Sequence, residues 1–72
     1  MTTSHFSIDD IKQAIIQTGY EISDCNDDGW TDFDEAIRIF CEREPQHEAV
    51  AMANISEIEV GFRHEFPQGK AR

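Results

Sequence analysis

The 72-residue chain predicts a mainly α domain: a helix–loop–helix, a short helix, and a C-terminal segment that reads as helix or strand. Three observations predict it. Ile8, Ile11, Ile15 and Ile16 recur at the three- and four-residue spacing that lines one face of a helix. Phe33, Ala36, Ile37 and Phe40 repeat that spacing further on. Between the two runs lies "DCNDDGW", whose Asn-Asp-Asp-Gly is turn chemistry rather than a continuation of either helix.

Each element has local reasons to form. Ser7 is placed to cap the first helix, and Asp9 and Asp10 stand in its first turn, where the helix dipole favours negative charge. Its end has two readings. Gly19 fits the residue just past a helix C-terminus, which leaves 20–25, "YEISDC", as a short strand. Alternatively the helix absorbs Gly19, at a cost of about 1 kcal/mol, and runs to about Ser23.

For the second helix, Thr31 is the expected cap, with Asp32 and Asp34 in the first turn. Pro45 ends that helix or starts the next element, and residues 47–54 read as a short helix. Residues 56–66 carry two patterns at once. Ile58, Val60 and Phe62 alternate with Glu57, Glu59, Gly61 and Arg63 as in a strand, whereas Ile55, Ile58, Phe62 and Phe66 fit a helical stripe. Val60 and Gly61 favour the strand. An α+β fold with strands near 20–25 and 56–66 therefore stands as the alternative. The chain is expected to form a single small domain over 1–72, with 1–6 and 67–72 as flexible ends.

Charge is the most unusual bulk property. Fifteen acidic residues against six basic ones give −9, and the excess is uneven: residues 1–35 carry −8, residues 36–72 only −1. Such a chain is not expected to bind nucleic acid directly, because phosphates repel it. Its expected partners are cations or a protein with a basic surface. No run approaches the roughly 18 apolar residues of a membrane span, so no membrane association is expected. Cys25 and Cys41 lack metal-site spacing; two reduced thiols in a cytoplasmic protein is the expected state, with a single disulfide as the other option.

The twelve residues 24–35, "DCNDDGWTDFDE", hold an ordered set of oxygen donors. Asp24, Asn26 and Asp28 stand at positions 1, 3 and 5, Gly29 at 6, Trp30 at 7, Asp32 at 9 and Glu35 at 12. A hard cation wants six to eight oxygens at about 2.4 Å, and alternate side chains around a sharp glycine turn make them converge. At these residues the sequence resembles the EF-hand family, over about residues 8–44. The resemblance implies a Ca2+ site with Asp24, Asn26, Asp28, Asp32 and Glu35 as side-chain ligands and Trp30 supplying its carbonyl. It also implies a sensor or regulatory binding protein. Three features depart from the family pattern: Thr31 at position 8, where an aliphatic residue is usual, Ser23 before the loop, and no second loop. A lone hand must dimerise or lean on another element.

The competing reading of the loop is a polar turn followed by a capped helix start. On that reading the chain is an acidic inhibitor or adaptor that docks on a basic protein surface. In size and charge alone it is similar to small phage-type inhibitors, including nucleic-acid mimics and anti-CRISPR-like proteins. The sequence has no glycine-rich phosphate loop, and His5, His47 and His64 are far apart. With no nucleophile–base set to be found, no enzymatic activity is expected. Trp30 reads as partial cover for a small core, or as a partner's anchor.

Overall fold

The computed structural model describes residues 7–67 and 69. Four α-helices follow one another: α1 (Ile8–Cys25), α2 (Phe33–Arg43), α3 (Glu48–Ala53) and α4 (Ile55–Glu65), with a 3-10 turn at Pro45–His47 before α3. The fold is mainly α, and no strand occurs among the described residues. The strands considered near 20–25 and 56–66 are helical instead.

α1 starts as its sequence dictates. The Ser7 hydroxyl accepts from the Asp10 N–H, and Asp10 accepts from the Ser7 N–H, a reciprocal capping box. The helix does not stop at Gly19; it continues to Cys25, where the Asn26 N–H bonds the Ser23 carbonyl. Gly19 serves a tertiary contact. A Cβ there would lie 2.7 Å from Phe62 Cε2 and 2.9 Å from Phe66 Cε2, so only a glycine lets the α4 aromatics reach the α1 backbone. Gly61 on α4 also faces α1, but there a Cβ would fall 2.6 Å from Lys12 Cδ, part of a flexible side chain.

α2 begins one residue later than the sequence suggests. Asp32, not Thr31, is the N-cap, and its carboxylate accepts from the Asp34 N–H. Pro45 opens the 3-10 turn, where its fixed φ and missing N–H are harmless. α4 resolves the two overlapping patterns in favour of the helical stripe. Ile58, Phe62 and the following Phe66 are buried, while Val60, which only a strand would have matched, is 70% exposed.

The core is one cluster. Ile11, Ile15 and Ile22 of α1 pack with Phe33, Ala36, Ile37 and Phe40 of α2, with Ala51 of α3, and with Ile58, Phe62 and Phe66. Its aromatic part is tightly organised: Phe33 meets Phe62 edge-on at 5.2 Å, and Phe66 lies 4.7 Å from Phe62 and 4.9 Å from Tyr20. Each such pair adds about 0.5–1.5 kcal/mol beyond burial. The Tyr20 hydroxyl donates to the Glu65 carboxylate, a second tie between α1 and the end of α4. The result is a fixed platform from which the loop between α1 and α2 projects.

The expected flexible ends fall mostly outside the described residues, which omit 1–6, 68 and 70–72. Gly69 is placed: its carbonyl accepts from the Thr31 N–H at 2.6 Å, and its backbone lies against the Trp30 indole. No helix among the described residues is long and apolar enough to cross a membrane.

Candidate functional site

The acidic loop spans the gap between two helices whose ends frame it. α1 contributes Asp24 and Cys25 as its last two residues, and α2 contributes Phe33, Asp34 and Glu35 as its first three. Asn26–Asp32 connect them. Within this stretch, Gly29 turns the chain with φ +72°, in the left-handed region that a β-carbon disfavours. The conformation explains why glycine stands at that position. The Ser23 hydroxyl donates to the Gly29 carbonyl at 2.9 Å and pins the turn to the last turn of α1.

The donors expected at the site are distributed as follows. Asn26 and Trp30 come together: the Asn26 Nδ2 donates to the Trp30 carbonyl at 2.7 Å. Asp28 folds back on the loop, with its Oδ1 accepting from the Trp30 N–H at 3.0 Å. Asp32 is engaged as the cap of α2. Asp24 and Glu35 are exposed, and Glu35 faces the cleft between α1 and α2 together with Asn26 and Cys25. No group of three or more histidine, cysteine, aspartate or glutamate side chains gathers closely enough to hold a metal ion among the described residues. The loop thus has a left-handed glycine turn framed by two helices. Its carboxylates stand apart, directed to water and to backbone N–H groups.

The residues just after the turn show what the loop leans on. Trp30 carries an isolated β-bridge and is 49% exposed. Thr31 is fully buried, and its Oγ1 has no hydrogen-bond partner among the described residues. Its backbone N–H donates to the Gly69 carbonyl, which ties the residue after the turn to a position beyond α4. Sequence reasoning missed this contact. Gly69 also has a positive φ, +78°, and a Cβ there would sit 2.8 Å from the Trp30 ring. A glycine two residues after Pro67 in an otherwise polar tail was the available signal.

The remaining candidates are placed away from chemistry. Cys25 is exposed and Cys41 half-buried, and neither forms a disulfide. Burial, and then the nearby Glu48 carboxylate, push the Cys41 thiol upward, which keeps it protonated at neutral pH. Among the described residues, four lysine and arginine ion pairs lie on the surface. Arg43–Glu21 is the one that joins α2 to α1, at 2.8 Å, and the other three are local to one helix or its first turn.

Comparison of the chain with protein-family models, with curated proteins and with solved structures gives no match.

Proposed function

We propose that the chain is a small acidic calcium-binding module of the EF-hand type, acting as a sensor or regulatory binding protein. The observation that carries this reading is the conformation of Gly29. It takes the left-handed turn at the sixth position of a loop that leaves the end of one helix and enters the start of the next. The continuation of α1 through 20–25 supports it too, since an extended segment there would have removed the entering helix. The Asn26 side chain and the Trp30 carbonyl already face one another; turning the amide over would present two oxygens to one ion.

The residues that would hold the ion are Asp24, Asn26, Asp28, Asp32 and Glu35, with the Trp30 carbonyl. Calcium supplies positive charge that neutralises carboxylates otherwise repelling one another. Asp24 and Glu35 stand on different helices, so drawing them to one point fixes the angle between α1 and α2. Affinity is expected to be weak to moderate, because Asp28 and Asp32 must give up hydrogen bonds to backbone N–H groups. Two unpaired thiols suit a reducing compartment, and the cytoplasm is the proposed location.

Calcium titration of the metal-free protein tests the reading, followed by Trp30 fluorescence and the Gly29 amide resonance. Saturable changes in both, lost in Glu35→Gln, are expected. An unchanged spectrum at millimolar calcium sinks the proposal.

A second reading has its own support. The −8 carried by residues 1–35, and a cleft between α1 and α2 with carboxylates on its edge, suit an acidic adaptor or inhibitor for a basic protein.

A further inference from the structure

Two recesses lie side by side along the junction of α1 and α2, of about 330 and 210 Å³. Glu21 and Arg43 line both, and the 2.8 Å ion pair between them crosses from one helix to the other. The two recesses are therefore one groove, bridged in the middle. Its floor carries Ile22 and Ile39 on one side of the bridge, Phe40 on the other, and the buried Thr18, which lines both recesses. Glu21, Glu35 and Glu44 are acidic lining residues, and Arg43 is the single cation among those lining it.

We propose that this groove is the docking site for a basic segment of a protein partner. That segment sets an apolar side chain on the floor and brings an arginine or lysine that replaces Arg43 on Glu21. The inference rests on the adaptor reading above and is tested without calcium, because Asn26 and Glu35 belong to both the groove and the proposed cation loop. Charge complementarity selects the occupant. The chain is −9, and the groove sets three carboxylates against one guanidinium. Arg43 already shows the polar half of the contact, a guanidinium on the Glu21 carboxylate. Both members of that pair are about half exposed, 55% and 46%, so exchanging one cation for another meets little resistance. A second copy of this chain is disfavoured, because it brings the same negative charge.

The test uses a synthetic amphipathic Leu/Arg helix as probe, titrated into the full chain in EDTA at physiological salt. Amide shifts are expected to gather over residues 14–25 and 35–44. Arg43→Ala is expected to tighten binding several-fold by freeing Glu21, and Glu21→Gln to weaken it several-fold. Arg63→Ala makes the same change in net charge, on an ion pair within α4 that lies outside the groove, and is expected to leave affinity within a factor of two. Equal tightening by both arginine variants means diffuse attraction and overturns the proposal. Shifts centred on residues 26–32, no binding at millimolar peptide, or a sedimenting dimer that protects the groove overturn it as well. Because the titration runs in chelator, its failure leaves the calcium reading intact, and a flat calcium titration leaves this one intact.

Discussion

At the scale of single residues, the turn at Gly29 is legible in the sequence and the role of its neighbour Thr31 is not. Asp24, Asn26, Asp28, Gly29 and Glu35 are recognised by spacing alone, because the pattern lies within twelve residues. Thr31 was read as a helix cap because it precedes an acidic first turn, and Asp32 took that role. What decides Thr31 is remote: its N–H goes to Gly69, and its side chain turns inward with 1% exposure. A buried hydroxyl without a partner carries a desolvation cost of about 1–3 kcal/mol. Thr31→Val keeps the branched shape and removes that cost, so it is expected to raise stability by about 1 kcal/mol in urea denaturation. Thr31→Ser keeps the hydroxyl and deletes a methyl, and is expected to lose a similar amount. If Val destabilises and Ser does not, the hydroxyl has a partner, such as a buried water.

At the scale of elements, both misleading segments involved a glycine whose reason lies on the other helix. Gly19 imitates a helix stop, and Gly61 within an alternating run imitates a strand. In the fold each faces side chains from the other side of the α1–α4 contact, Phe62 and Phe66 for one and Lys12 for the other. One sequence without its contacts does not separate a glycine that ends a helix from one that lets another helix approach. Substitution does. By propensity, Gly19→Ala should stabilise an interior helix position by about 1 kcal/mol. Packing opposes this, since the new Cβ would stand 2.7 Å from an aromatic ring held between Phe33 and Phe66. Overpacking of this kind costs about 1–3 kcal/mol, so net destabilisation of about 1 kcal/mol is expected by chemical denaturation. Gly61→Ala meets only a flexible lysine stem, which can move aside. There the propensity gain is expected to win, with a small rise in stability. The same chemical change with opposite signs at two sites is the measurement that checks the α1–α4 contact.

At the scale of the whole molecule, the balance is between uncompensated charge and a small core. A chain of this size buries only about 60% of its unfolded surface, so its margin is thin. Nine net negative charges oppose compaction over the full width of the domain, and the four lysine and arginine ion pairs among the described residues each return only about 0–1 kcal/mol. Added salt weakens both terms. The repulsion is long-ranged and loses more, because the screening length falls from about 30 Å at 0.01 M to about 3 Å at 1 M. The melting temperature is therefore expected to rise by several degrees between 10 mM and 0.5 M NaCl; at about 4–8 °C per kcal/mol for a domain this small, that is about 1 kcal/mol. A fall would mean that the ion pairs outweigh the repulsion. Salt also supplies the baseline for calcium, since any divalent cation screens an acidic protein. A bound ion at one hundred times its dissociation constant adds about 2.7 kcal/mol. Calcium at matched ionic strength is then expected to lift the melting temperature well beyond the sodium curve, by about 10 °C or more, and to lose that excess in Glu35→Gln. If the calcium and sodium curves coincide at equal ionic strength, the loop is a turn and a cap within an acidic surface, and the carboxylates act only through their summed charge.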